Sequence, residues 1–212
     1  LDARVPFSSR NPDIDKLAAG KARMVLLNKA DLADEGQTHK WAQMFENMGI
    51  HVVKIDARNK GTLKQVQAVQ QEACKEKIER DRRRGILNRP IRTMVVGIPN
   101  VGKSTFINSF AGKACAKTGN KPGVTKGNQW IRLNKTLELL DTPGILWPRF
   151  EDQQVGLHLA LIGSINDQIL NKDELACELI SLLEKDYPQV VKERFGIEDV
   201  NEERVKVLEE IA

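Results

Sequence analysis

The octapeptide Gly97-Ile-Pro-Asn-Val-Gly-Lys-Ser104 fits the pattern G-x-x-x-x-G-K-[ST], and it leaves this chain little freedom in how it can fold. The pattern has meaning only between a strand and a helix. Both are predicted here: Thr93–Val96 (TMVV) reads as a buried strand, and a helix is expected from Lys103 to about Phe110. In that setting the glycines let backbone N–H groups close around phosphate oxygens, and the helix N-terminus adds its dipole. Lys103 would reach the β- and γ-phosphates and the Ser104 hydroxyl would ligate Mg²⁺, with Asn100, Val101, Gly102 and Thr105 completing the cradle. A chance match in 212 residues is on the order of 1%.

Such a loop requires an α/β framework, and the rest of the chain supplies one. Met24–Leu27 and Val52–Ile55 read as strands. Between them His39–Met48 has helical spacing, with Trp41, Met44, Phe45 and Met48 on one side and Gly49 at the stop. Gly61 to about Arg84 reads as one long helix facing inward through Leu63, Val66, Val69 and Cys74. Residues 113–128 are a polar loop, and Trp130–Leu133 with Leu137–Leu140 form a hairpin around Asn134-Lys135. From Glu151 onward the pattern is helical. The expected architecture is therefore a three-layer α/β domain with a mostly parallel sheet, residues 1–165, and a small helical domain, residues 166–212, docked on it. With 41% apolar residues and no run of about 18, a membrane-spanning helix is excluded by sequence. Three cysteines and three histidines, all far apart, suggest neither disulfides nor a thiolate or imidazole metal site, and fit a reducing, cytoplasmic compartment.

Asp141-Thr-Pro-Gly144 closes the strand Leu137–Leu140, where an Asp can hold Mg²⁺ and a Gly N–H can sense a γ-phosphate. In the polar loop before it, Thr125 in the Pro-Gly-x-Thr setting is the expected second Mg²⁺ ligand, with Thr118 its competitor. Base choice falls to Asn28-Lys29-Ala-Asp31, read as N-K-x-D after a strand. The Asp31 carboxylate would accept from the N1–H and N2–H₂ edge of guanine, which adenine does not offer. Asn171-Lys-Asp-Glu174 looks similar but ends in Glu and lies too near Asp141 for the helix, strand and helix that belong between these motifs. Asn28 therefore precedes the phosphate loop by about 70 residues, an inverted order that means circular permutation. Ala57, in Asp56-Ala-Arg58, then falls where a backbone N–H would meet the guanine O6, although Asp56 departs from the usual Ser.

In this order, N-K-x-D, G-x-P-N-V-G-K-S, P-G-x-T, D-T-P-G, the sequence resembles the circularly permuted GTPases. The Asp2-Ala-Arg4 triplet and the stretch Leu140–Arg149 point to the ribosome-biogenesis group among them. The resemblance spans nearly the whole chain. It implies a GTP hydrolase that uses Mg²⁺, with Lys103, Thr125 and Gly144 in catalytic positions, and that acts as an assembly switch on the large ribosomal subunit. The expected partners are ribosomal RNA and proteins, met by a monomer, with no membrane or DNA partner. Organellar relatives are within its scope. In similar GTPases an Asn at position 100 helps hold K⁺ beside the phosphates, where an arginine finger would otherwise bring charge. Ile145 stands where Ras-type GTPases place a water-orienting Gln, so unaided hydrolysis is expected to be slow. The rival readings are a nucleotide-gated RNA- or protein-binding module with negligible hydrolysis, and a GTPase of tRNA modification or membrane traffic, whose motifs would run unpermuted. Residues 75–92 hold eight Lys or Arg against three acids, a local basic stripe that reads either as a solvated helix end or as an RNA-phosphate surface. In the permuted sheet a strand ending at Leu1-Asp2 belongs between the phosphate-loop and Asn28 strands, holding them about 9–10 Å apart. The chain is therefore expected to continue upstream.

Overall fold

The computed structural model describes residues 1–87, 89–119, 123–196 and 204–211. Pro122 of the Pro-Gly-x-Thr run and residues 197–203 of the expected helical domain lie outside them. Strand β1 (Met24–Asn28) pairs in parallel with β2 (His51–Ile55), Met24 opposite His51 and Asn28 opposite Ile55. Ahead of β1 lies a single helical turn, α1 (Ile14–Leu17), and α2 (Glu35–Asn47) makes the crossover. Asp34 caps α2 by accepting the Gln37 N–H at 2.7 Å, and Gly49, at φ +73°, stops it by donating to the Glu46 carbonyl. The face it buries is Thr38, Ala42 and Phe45, with Trp41 packed beside them; of the expected apolar face Phe45 and Trp41 meet the core, whereas Met44 and Met48 are 36% and 51% exposed. The helix can turn Thr38 inward because the Thr38 hydroxyl is satisfied by the Asp34 carbonyl at 2.7 Å.

The second sheet has the order β3-β5-β4: β3 (Ile91–Val95) and β5 (Leu137–Asp141) are parallel, and β4 (Gln129–Arg132) forms the predicted hairpin with β5. β1 and β3 share no ladder. Leu1–Ala3 instead runs parallel along β1, through Asn28 N–H to the Leu1 carbonyl at 2.9 Å and Ala3 N–H to the Asn28 carbonyl at 2.8 Å. A single core joins the two sheets. Val53, Ile55 and Ala57 of the first pack with Leu137 and Leu139 of the second around Leu63, Val66, Phe106 and Ile107.

The long helix expected after Gly61 is two helices, α3 (Lys60–Ala73) and α4 (Lys75–Arg83), which meet at Cys74 (φ −100°, ψ 4°). The break follows burial. α3 lies on the core through Leu63, Val66 and Gln70, whereas α4 buries no residue. Helix α5 (Lys103–Ala111) follows the phosphate loop, and α6 (Gln153–Leu161) packs Val155 and Leu159 against Ile98 and Val101 of that loop. Beyond α6, α7 (Lys172–Asp186), α8 (Pro188–Phe195) and α9 (Arg204–Ile211) pack on one another, and α7 contacts α6. Their own core is small, Ile180 and Val207 with Leu208 and Ile211 beside them. Among the described residues no helix is long and apolar enough to cross a membrane.

Candidate functional site

The chain leaving β3 turns through Gly97–Gly102 before α5 begins at Lys103, which is the strand, loop and helix that the octapeptide requires. Ile98 and Val101 are buried and pin the loop to α6. Gly102 cannot be replaced without strain: its φ is +89°, and a Cβ there would collide with the Asn28 amide nitrogen. Asn100 sits at the crest in a left-handed conformation (φ 59°). A pocket opens over the loop, lined by Asn100, Gly102, Lys103, Ser104 and Thr105, by Thr118 and Thr125 from the polar loop, and by Gly144. Lys103 Nζ lies folded back on the Ile98 carbonyl at 2.9 Å. Burial lowers its pKa to about 8, against the opposing pull of Asp141. An under-solvated ammonium at a helix N-terminus is a strong attractor for an anion.

On the floor of this pocket Ser104 Oγ and Thr125 Oγ1 are 3.2 Å apart, so of the two threonines considered it is Thr125 that meets Ser104. Asp141, 1% exposed at the end of β5, lies behind them. Burial raises its pKa, with Lys103, the Thr142 N–H and Ser104 pulling it back. Its Oδ1 is buried with no hydrogen-bond partner. An orphaned carboxylate oxygen beside two hydroxyls is a set of hard oxygen donors with one position unsatisfied, and it fits a hard divalent cation such as Mg²⁺. Gly144 closes the pocket from the other side. A Cβ there would lie 2.7 Å from the Pro99 backbone and 2.8 Å from Lys103 Nζ, so only glycine lets this segment reach the loop. Ile145, next to it, is 65% exposed.

The N-K-x-D residues come to the same loop from the first sheet. Asn28, at the end of β1, donates to the Val101 carbonyl at 2.7 Å and accepts the Ala57 N–H at 2.9 Å. The Ala57 N–H, expected to face the base, is thus engaged with Asn28 and buried. Lys29, in a left-handed conformation, donates to the Asn100 carbonyl at 2.8 Å. Asp31 is exposed and paired with the exposed Arg58 at 2.7 Å. Asn171, by contrast, is the N-cap of α7, accepting from the Asp173 and Glu174 N–H groups.

Two contributors were not visible in the sequence. Helix α6 ends with Gly163 at φ +72°, and its last bonds, Gly163 N–H to Ala160 and Ser164 N–H to Leu159, turn that end onto the phosphate loop. There the buried Ser164 hydroxyl donates to the Pro99 carbonyl at 2.8 Å, and the Asn100 amide donates to the Gly163 carbonyl. The other contributor is Asp2, which is fully buried and holds Lys29 Nζ at 2.9 Å. Ser164 is 65 residues from its partner, and no local pattern announces it.

A phosphate loop at a strand-to-helix turn, met by the Asn28 strand end encoded 73 residues earlier, fits a P-loop GTPase with circularly permuted halves. The comparisons with known proteins make the assignment specific: the chain belongs to the 50S ribosome-binding GTPase family, which it matches over residues 92–208. It is similar to ribosome biogenesis GTPase A of Bacillus licheniformis, 48% identical over 211 residues that cover 100% of this chain and 75% of the relative. It is also similar to mitochondrial ribosome-associated GTPase 1 of Xenopus tropicalis, 32% identical over 93% of this chain and 65% of the relative. Among solved structures, GNP-bound YlqF from T. maritima aligns with a TM-score of 0.57 at 25% identity, covering 99% of this chain and 83% of that one.

Proposed function

We propose that this protein is a GTP hydrolase whose nucleotide state switches its hold on the large ribosomal subunit during assembly. The observation that carries the guanine reading is the Asn28 amide on the Val101 carbonyl, which docks the base motif directly on the phosphate loop. In this reading Asn28, Lys29 and Asp31 read guanine, with Ala57 supporting Asn28, and Asn100 to Thr105 cradle the phosphates. Asp31 gives up its exposed partner Arg58 to the base, an exchange that costs little because exposed ion pairs are weak. Ser104, Thr125 and Asp141 would hold Mg²⁺, which supplies positive charge against the phosphates when bound. Asn100 would contribute to a K⁺ site, its amide oriented by Gly163.

Lys103 and the Gly144 N–H then face the oxygens that gain charge during hydrolysis, and Thr125 closes over them. Ile145 has no polar atom to orient water, which supports slow unaided turnover and a rate that rises when a partner completes the site. The helical segment, residues 166–212, joins the site through α6 and is the part we assign to ribosomal RNA and protein contact, in the cytoplasm and by a monomer. Co-sedimentation with ribosomal subunits under GTP, GDP and a non-hydrolysable analogue tests this reading, alongside turnover with and without subunits. Binding to the large subunit that depends on the nucleotide, with faster turnover in its presence, is expected. Binding indifferent to nucleotide refutes the switch.

A further inference from the structure

Asp2 is a fully buried carboxylate that the base and phosphate motifs do not include. Arg4 grips it with both arms, Nε on Oδ1 and Nη2 on Oδ2, each at 2.9 Å, and adds its backbone N–H at 3.1 Å. That fork alone would satisfy a structural carboxylate. Yet a second cation reaches Oδ2: Lys29 Nζ, at 2.9 Å, which in turn donates to the Asn100 carbonyl at 2.8 Å. Burial pushes the Asp2 carboxyl up, but Arg4 and Lys29 prevail and hold it below the usual range, so it is an anion whenever the protein is folded near neutral pH.

The consequence lies in what Lys29 is attached to. A lysine has four rotatable carbons and a strong preference for water, and this one is a quarter exposed, so nothing in its own chemistry keeps it on a carbonyl. Asp2 does, by holding the same ammonium at 2.9 Å while it donates to Asn100. The Asn100 turn, left-handed and so costly for a non-glycine residue, is therefore stapled by a bond whose donor is aimed by a carboxylate 98 residues away in sequence. We infer that Asp2 is a positioning residue for nucleotide binding, acting through Lys29 to hold the phosphate-loop crest in its binding conformation. This inference rests on residues 97–104 being the phosphate loop of a GTPase.

Fluorescent-GDP release from the full chain, followed by stopped flow, tests it. Asp2→Asn is nearly isosteric and removes the charge. It is expected to speed release by about 10- to 100-fold, the size of one lost hydrogen bond to a charged group. Lys29→Met is expected to do the same, and the double variant to release no faster than Lys29→Met alone, because both changes break one connection. Additive effects overturn the inference, as does unchanged release from a folded Asp2→Asn protein. Arg4→Gln keeps the Asp2–Lys29 pair and is expected to lower thermal stability with little change in release. If it loosens GDP as much as Asp2→Asn does, the carboxylate is only scaffold. Should Asp2→Asn fail to fold, Asp2→Glu, which keeps the charge and displaces it by a methylene, enters the same cycle with the same outcomes. Wild-type protein that binds GDP while the cycle is additive overturns the Asp2 inference alone. Wild-type protein that does not bind GDP overturns the GTPase reading with it.

Discussion

Lys103 carries a burden in the nucleotide-free protein that can be read from its pH dependence. Burial lowers its pKa from 10.5 to about 8, so the folded protein holds this proton less tightly than the unfolded chain does. Between those pH values the unfolded state binds the extra proton, and stability therefore rises with pH across the window; below pH 8 the full penalty is present. The 2.5 pH units between them correspond to about 3 kcal/mol, an upper bound because the pocket mouth admits solvent. Other lysines titrate in the same range, so the quantity to measure is the difference between wild type and Lys103→Met in urea unfolding, without nucleotide. The variant is expected to be the more stable protein at pH 7, and its advantage to shrink by roughly 3 kcal/mol on going to pH 10.5. Saturating GDP should flatten the wild-type slope, since phosphates add negative charge beside an ammonium that now holds only the Ile98 carbonyl and the pull of Asp141, while the variant should not bind. A difference that stays constant with pH would refute a desolvated ammonium at this position.

Asp31→Asn should lower GTP affinity by roughly 10⁴-fold and create affinity for xanthosine triphosphate, because the new NH₂ faces the guanine N2 amino group but suits a carbonyl at C2. Glu174→Gln, beside the Asn171 cap, should change neither in the same nucleotide titrations, and intact GTP affinity in Asp31→Asn would remove the guanine assignment. Turnover at equal ionic strength should be faster in potassium than in sodium, and Asn100→Ala should erase that difference; turnover blind to the cation returns Asn100 to a loop-stabilising role. Gly144→Ala places a methyl 2.7 Å from the Pro99 backbone, so thermal unfolding should show a loss of about 1–3 kcal/mol together with slower hydrolysis. Wild-type values for both would mean that the segment does not approach the loop in solution.

Much of the candidate site was legible because the chemistry proposed for it depends on short, contiguous patterns. A phosphate cradle needs glycines at fixed offsets, and Asn28 to Asp31 stands out among the chain's Asn-Lys pairs by the Asp three residues on and the strand before it. The hairpin of β4 and β5 was legible for the same reason, since Asn134 sets a tight turn locally, accepting the Thr136 N–H at 2.8 Å. What stayed hidden depends on distant partners. Nothing near Ser164 or Asp2 says that each will be buried against the phosphate loop or its lysine. The break at Cys74 also has no Gly or Pro to mark it; α3 and α4 both follow helical patterns, and they differ in that only α3 has a core beneath it. On α2 the apolar spacing placed Phe45 and Trp41 correctly but not Met44 and Met48, because a self-satisfied threonine can take a core position that its polarity seems to forbid.

The contact between Asn28 and Val101 also has a history in time. A ribosome releases the chain N-terminus first, at about 5–20 residues per second, so the 73 residues between these partners are roughly 4–15 s of synthesis. Throughout that interval the half that carries Asn28 is present with no phosphate loop to receive it. GTP cannot stabilise the nascent chain by mass action, because the state it binds does not yet exist. β1, β2 and α2 must stand meanwhile on their own apolar contacts, Leu27, Phe45 and Ile50. For a chain in this permuted order, nucleotide can be taken up only after the second half of the motifs, through Gly144, has followed the first out of the ribosome.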